Sequence, residues 1–405
     1  MNLVATRSGA SAVRKLDVLL KSATESGDVP GVVAMATTAQ ATIYQGAFGT
    51  RRLGAARPMA IDTVDWIASM TKPLTSVAAM QLVEQGRLQL DAPAERWAPE
   101  LADAQVLEGF TAKGEPLLRP PRRPITLRHL LTHTAGYGYG MWSPLLARYM
   151  ELTGIPATAS CENAALRLPL LFDPGERWNY GINIEWVGKV IEGASGRTLG
   201  EYLKENLFVP LGMNSTGFRI TPAMRKRLSR LHERDAQGVL SAGDFEVPQQ
   251  PEFEMGGGGL YSTAPDYLAF VRMILNRGVG NGNRVLESAT VELMSSNQMG
   301  DLRVAPMVTT NPARSNDVEF FPGVPKSWGL GFMINLEDAP TGRSAGSLAW
   351  AGLSNCYFWI DPAANVGGVC LMQILPFADS KALSLYLDFE CAVYQALQAH
   401  VRELP

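Results

Sequence analysis

Residues 65 to 74 read DWIASMTKPL and hold Ser69 and Lys72 with two residues between them. Ser69 follows a short apolar run and precedes a helical pattern that continues to about Gln85. Residues three apart on a helix share a face, with Cβ atoms roughly 5–6 Å apart, so hydroxyl and amine can meet. Pro73 lacks an N–H, which a helix tolerates best near its start. Ser69 therefore belongs at the helix N-terminus, where unpaired amides and the positive dipole end gather and an oxyanion can be held. The plain alternative is a serine that caps a helix beside a solvated lysine. A lysine is a base only when neutral, and lowering its reference pKa of about 10.4 to near 7 takes roughly 4–5 kcal/mol. Burial and a helix N-terminus both act in that direction, whereas an exposed lysine stays charged. Ser69 is the only serine in the chain with a lysine three residues later.

Outward from that stretch, the 405 residues allow two or three domains or one large composite unit. Hydrophobic residues make up 46% and charged residues 19%, as in an ordinary globular protein. The net charge of −3, with no long run of one sign, points away from nucleic acid and from a membrane surface. The N-terminal MNLVATRSGASAVRKLDVLLKSA has no uninterrupted apolar stretch followed by a cleavage site, so it reads as mature protein. No segment approaches the ~18 apolar residues of a membrane span. Cys161, Cys356, Cys370 and Cys391 show no CxxC and no regular spacing, which fits reduced, buried thiols and a cytoplasmic protein.

The two ends of the chain read differently from its middle. Val13, Leu16, Leu20 and Ala23 mark an amphipathic helix over 11–23. GVVAMAT and ATIYQGAFG follow as a hairpin. Near the other end WGLGFMINL, SLAWAGLSNCYFWI and VGGVCLMQIL predict three strands, with DPAAN turning between the last two. A helix over about 380–399 closes the chain, with Leu383, Leu387, Cys391 and Tyr394 along one side. Between Ser69 and about residue 300 the pattern is mostly helical, broken by loops such as RPPRRP. The expected fold class is α+β: an antiparallel sheet built from both chain ends and flanked by the terminal helices, with a mostly helical middle. Residues 1–68 and 322–405 then form the sheet region and 69–321 the helical region, with the ligand cleft at the seam. GGGG at 256–259 reads either as a joint or as a close backbone contact, and Thr263-Ala264-Pro265-Asp266 after it starts a helix.

SMTKPLTSVAAMQLVEQGRLQLDAP resembles the SxxK helix of the serine β-lactamase and penicillin-binding protein superfamily. ITLRHLLTHTAG, FDPGERWNYG, PLGMNSTGF and GGGGLYSTAPD follow in the order, and at about the spacing, of the class C β-lactamases and the related family VIII carboxylesterases. The resemblance runs from about residue 10 to 400. It implies a β-lactamase-like fold, an acyl-serine on Ser69, and Tyr180 as the partner of Lys72 in proton transfer. It also implies that Trp350-Ala351-Gly352 replaces the Lys-Thr-Gly strand motif, with the amides of Ser69 and Leu353 as the oxyanion hole. Trp350 then shapes the site, and Gly352 lets the backbone approach the substrate. Where the β-lactamase motif Tyr-x-Asn has its asparagine, this chain has Ile182. Loss of that amide and of the third-motif cation weakens the case for β-lactams and peptides, while a neutral ester needs neither.

Three other features compete. Gly342-Arg343-Ser344-Ala345-Gly346 is a formal GxSxG, with Asp361 or Asp388 and then His400 in the right order. A turn precedes it and a strand follows, the reverse of a nucleophile elbow. His129 and His133 are spaced as in a zinc helix, but Leu130 stands where the glutamate belongs, so a structural role is expected. Tyr137, Tyr139, Met141 and Trp142 either line an acyl or alcohol pocket or pack under a loop; Tyr137 and Trp142 are the expected substrate contacts. The expected function is a serine carboxylesterase acting on a small-molecule ester, with no metal or organic cofactor. The alternatives are a β-lactamase or D-alanyl-peptidase-like amidase, an acyltransferase of the same fold, and a non-enzymatic binding relative.

Overall fold

A computed structural model describes residues 7–401. Seven strands form one antiparallel sheet: β1 (Gly31–Thr37), β2 (Thr42–Gly49), β3 (Lys326–Trp328), β4 (Met333–Asn335), β5 (Leu348–Gly352), β6 (Cys356–Asp361) and β7 (Val366–Leu371). Their spatial order is β3-β4-β5-β6-β7-β1-β2, so the chain ends meet where β1 pairs with β7, Val33 opposite Leu371. The sequence predicts five strands here, and the structure has seven. WGLGFMINL and SLAWAGLSNCYFWI each fold back on themselves. Gly331 (φ 108°) and Asn355 (φ 57°) adopt left-handed backbone in the two turns.

Both faces of the sheet are covered, which is why β1, β6 and β7 are buried along their whole length rather than alternately. Successive side chains of a strand point to opposite faces. Tyr357 stacks on Tyr386 with ring centroids 4.5 Å apart, and Trp359 meets Phe389 at 5.9 Å. Phe358, between them in sequence, meets Tyr267 at 5.2 Å. One face thus carries the terminal helices α1 (Arg7–Glu25) and α6 (Ser380–Val401). The other carries α5 (Ala264–Leu275), capped by the Thr263 hydroxyl, which accepts from the Asp266 amide. The buried stripe of α6 is Ala382, Leu385, Tyr386, Phe389 and Val393. Of the expected stripe Tyr394 is buried, whereas Leu383, Leu387 and Cys391 lie at its flank, because the aromatic pair on β6 draws Tyr386 and Phe389 inward.

The middle of the chain is helical but not wholly so: Val106–Phe110 pairs with Pro116–Arg119, and His232–Arg234 with Leu240–Ala242. Its centre is α2 (Thr71–Glu84), in which every residue from Thr71 to Leu82 is buried. A helix without a solvent face is a core element, and this one packs on α4 (Asn183–Ser195). A 3-10 turn, Ala68–Met70, leads into it and lies against β5. Among the described residues no helix is long and apolar enough to cross a membrane. Cys161, Cys356 and Cys370 are buried free thiols, and Cys391 is a half-buried one.

Candidate active site

Ser69 sits in the 3-10 turn immediately before α2 and helps to line a cavity of about 420 Å3. Its side chain caps no helix. The capping work is done beside it: Thr71 donates its hydroxyl to the Ala68 carbonyl at 2.6 Å and accepts from the Leu260 amide at 3.1 Å. Ala68 is held at φ 44°, a conformation that costs an alanine of order 1–2 kcal/mol. That strained residue directly precedes Ser69 and also lines the cavity.

Lys72 is 0% exposed. Its Nζ lies 3.2 Å from Ser69 Oγ, 3.2 Å from the Tyr139 hydroxyl and 2.6 Å from the Gly257 carbonyl oxygen. An ammonium would donate to all three acceptors. A neutral amine has two protons for Gly257 and Tyr139 and one lone pair for the Ser69 proton. The same geometry therefore satisfies both charge states, as a proton-transfer group requires.

GGGG is a close contact, not a joint. None of the four glycines has positive φ. The carbonyl of Gly256 accepts from Thr75 at 2.7 Å, that of Gly257 from Lys72, and that of Gly258 from Trp66 Nε1 at 2.7 Å. A Cβ on Gly257 would lie 2.3 Å from Glu185 Oε1. Bare backbone is what allows this wall to close on α2 and α4.

Glu185 and Tyr139 are the residues whose place in this network the sequence does not disclose. Glu185 is buried on α4 and accepts from the Tyr139 hydroxyl at 3.1 Å. Burial raises its pKa, opposed by the nearby charge of Lys72. Burial also holds the Tyr139 phenol well above its ordinary range, reinforced by Glu185, so it stays protonated and donates. Both residues line the cavity.

Tyr180 is buried beside Lys72 and lines the cavity. The lysine Nζ lies 4.7 Å from its ring centroid, and its hydroxyl accepts from Trp350 Nε1 at 2.9 Å. The phenol that bonds Lys72 directly is thus that of Tyr139. Trp350 is buried behind Tyr180, off the cavity wall, so any part it has in shaping the site passes through that hydroxyl. Trp142 lines the cavity, together with Met141. Tyr137 does not. Gly181 packs so tightly that a Cβ there would lie 2.4 Å from the Tyr137 carbonyl, and the Tyr137 ring turns inward to stack on Trp186 at 6.1 Å. Ile182 is fully buried and also off the wall.

At the end of β5, Gly352 has no room for a side chain: a Cβ would lie 2.3 Å from the Ile67 carbonyl. The fit draws the strand end against the 3-10 turn and brings Leu353 into the cavity lining with Ser69. Neither the Ser69 nor the Leu353 amide has a backbone acceptor among the described residues.

The competing features resolve as structure. His129 Nδ1 accepts from the Thr126 amide at 3.2 Å, closing a capping box on α3 (Leu127–Leu131). His133 is fully buried, its Nδ1 3.0 Å from Asn183 Nδ2 and its ring 4.8 Å from that of Tyr180. Burial, helped by the charge of Lys72, holds His133 well below its ordinary pKa, so it is a neutral packing residue. No cluster of His, Cys, Asp and Glu among the described residues is arranged to hold a metal ion. Ser344 lies in a turn pinned by its amide to Asp361 at 2.8 Å, and the adjoining Arg343 is buried in an ion pair with Glu390. The side chain of His400 lies outside the described residues.

A family model for beta-lactamase matches residues 16–390. The chain belongs to the beta-lactamase family. Within it, the chain is 32% identical to monacolin J acid methylbutanoyltransferase of Aspergillus terreus, covering 98% of this chain and 99% of that one. It is 33% identical to the lovastatin esterase of Penicillium rubens, over 95% and 99% of the two chains. A mutant simvastatin synthase from Aspergillus terreus superposes with a TM-score of 0.83 at 31% identity, covering 98% of each chain. The beta-lactamase-like fold expected from the sequence is therefore the fold, and the chain is an enzyme of a group of serine hydrolases and acyltransferases.

Proposed function

We propose that the protein is a serine carboxylesterase whose acyl-enzyme can also be discharged by an alcohol, so that hydrolysis and acyl transfer leave from one intermediate on Ser69. The observation that carries this reading is the fully buried Lys72 Nζ at 3.2 Å from Ser69 Oγ. Ser69 Oγ attacks the ester carbonyl while its proton passes to Lys72. The Ser69 and Leu353 amides hold the oxyanion. Tyr180 passes a proton to the leaving alcohol oxygen and regains one from Lys72, while the Trp350 N–H holds the phenol oxygen in place at 2.9 Å. Tyr139 and Glu185 keep Lys72 in place. Water or an alcohol then attacks the acyl carbon, the bond to Oγ breaks, and the incoming proton restores the serine hydroxyl.

The cavity wall of Met141, Ala147, Met150, Ala157 and Leu168 suits a small to medium acyl chain. The alcohol outlet draws support from the methylbutanoyltransferase and the hydrolytic one from the lovastatin esterase, which match this chain about equally. β-Lactam turnover is expected to be weak, because Ile182 and Trp350 present neither an amide nor a cation to the cavity.

Intact mass after treatment with a phosphonate ester tests the mechanism. A label is expected on wild type and on Ser344→Ala, and none on Ser69→Ala. A label that survives Ser69→Ala and vanishes with Ser344→Ala would overturn it. Rates on a p-nitrophenyl ester and a chromogenic cephalosporin rank the two substrate classes, and a strong preference for the cephalosporin would sink the ester reading.

A further inference from the structure

Two phenols flank Lys72 and line the cavity, Tyr139 and Tyr180. Their hydroxyls are engaged in opposite senses. The Tyr180 oxygen accepts from Trp350 Nε1 at 2.9 Å, and its own hydrogen has no acceptor among the described residues. Tyr139 donates its hydrogen to Glu185 Oε1 at 3.1 Å and accepts from Lys72 Nζ at 3.2 Å. A hydroxyl oxygen can accept twice, so Tyr139 keeps one position free. Tyr180 therefore offers the cavity a donor, and Tyr139 offers it an acceptor.

Behind Tyr139 stands a proton acceptor. Glu185 is 1% exposed, so it acts on the cavity through the phenol. Its Oε1 takes the Tyr139 hydrogen, and its Oε2 has no partner among the described residues. Burial raises its pKa against the opposing charge of Lys72. A buried carboxylate with a single hydrogen bond is poorly stabilised as an anion and is a correspondingly strong proton acceptor. An unbroken chain of contacts then runs from Glu185 through Tyr139 and Lys72 to Ser69 Oγ, at 3.1, 3.2 and 3.2 Å. The Tyr139 oxygen is thus within two hydrogen-bond lengths of Ser69 Oγ. A water held there stands beside an acyl group on the serine. Tyr139 is half-buried, and the cavity reaches it.

We infer that Tyr139 and Glu185 activate the water that hydrolyses the acyl-enzyme, and that this pair sets how far the enzyme is an esterase rather than an acyltransferase. The inference rests on the acyl-Ser69 reading above and assigns its two outlets to different groups. Transfer to an alcohol is acylation run backwards, so it uses the group that protonated the leaving alcohol, Tyr180. Water is under no such constraint. Its oxygen attacks the acyl carbon, and its proton passes to the Tyr139 oxygen as the Tyr139 proton passes to Glu185. When the intermediate collapses, the bond from the acyl carbon to Oγ breaks and Oγ takes a proton from Lys72. Lys72 regains one from Tyr139, and Tyr139 from Glu185. One proton has then travelled from water to the serine, the acyl group leaves as a carboxylic acid, and the three relay groups end as they began.

The test uses p-nitrophenyl butyrate as donor and n-butanol as competing acceptor. Enzyme-formed butyl butyrate and butyrate are measured by gas chromatography for wild type, Tyr139→Phe, Glu185→Gln and Glu185→Asp. Both products come from one acyl-enzyme, so their ratio does not depend on how much of a variant is folded. Tyr139→Phe and Glu185→Gln are each expected to raise transfer over hydrolysis about tenfold or more, since a general base contributes on the order of a hundredfold. Glu185→Asp, which keeps a carboxylate, should return part of the hydrolysis. Without butanol, intact mass should show the butyryl group persisting longer on Ser69 in Tyr139→Phe and Glu185→Gln than in wild type. A pair that only holds Lys72 would slow both outlets alike, so an unchanged ratio overturns the inference, as does loss of both outlets together. The underlying reading fails separately: no acyl group on wild-type Ser69 ends both, whereas an acylated wild type with an unchanged ratio in the variants ends this inference alone.

Discussion

Gly257 sets the spacing of the candidate site. Its carbonyl accepts from Lys72 Nζ at 2.6 Å, and its missing side chain leaves room for the Glu185 carboxylate. Gly257→Ala would place a Cβ 2.3 Å from Glu185 Oε1. The clash would displace the carboxylate, and through Tyr139 the lysine. Esterase kcat is expected to fall at least tenfold, with a stability cost of about 1–3 kcal/mol. Steady-state kinetics beside urea denaturation separates the two effects, and unchanged kcat in a folded variant would remove Glu185 from the network. The pairing of Ser69 with Lys72 was legible because helical geometry is local and a three-residue spacing dictates it. Glu185 and Tyr139 were not, because they lie 113 and 67 positions away along the chain: the packing of α4 on α2 places Glu185, and the loop before Gly140 places Tyr139 between it and the lysine.

At the scale of elements, α3 shows how a motif that resembles a metal site becomes a helix start. The Thr126 hydroxyl accepts from the His129 amide and the His129 ring accepts from the Thr126 amide, each at 3.2 Å. The ring must be neutral to accept. Burial pushes the His129 pKa down to about 4, with the charge of Arg123 acting in the same direction. A depressed histidine contributes stability that is complete above its unfolded value of about 6.5 and is lost as pH falls through 6.5 towards 4. Urea denaturation across that window should show the loss in wild type and a smaller one in His129→Gln; parallel curves would refute the assignment. Thr126→Ala should cost about 1 kcal/mol at neutral pH. Hydrophobic pattern located the main-sheet strands, but not the tight turns after Trp328 and Gly352. A run of apolar residues buried on both faces has no period to interrupt.

For the molecule as a whole, the closing contact is between α6 and the turn before β5. Arg343 and Glu390 pair there at 2% and 0% side-chain exposure, with Tyr386 and Thr341 completing their hydrogen bonds. Removing one partner leaves an uncompensated buried charge, so Glu390→Ala should destabilise by about 3–5 kcal/mol. Because Ser344 adjoins this pair, Ser344→Ala should retain esterase activity while Glu390→Ala loses it only as the fold melts. Thermal unfolding and activity followed together would show this, and a cold, folded Glu390→Ala without activity would contradict it. The sequence by itself determined what short-range geometry dictates: Ser69 and Lys72 on one helical turn, apolar runs that become strands, and a motif order that placed the chain in its family. Tertiary structure alone decided that α2 has no solvent face, so that Lys72 is buried. It also decided that Tyr139 rather than Tyr180 bonds the lysine and that Tyr137 turns into the core. The reason is physical. Burial, charge pairing and cavity shape depend on residues far apart in sequence, whose meeting follows from how the sheet and helices pack.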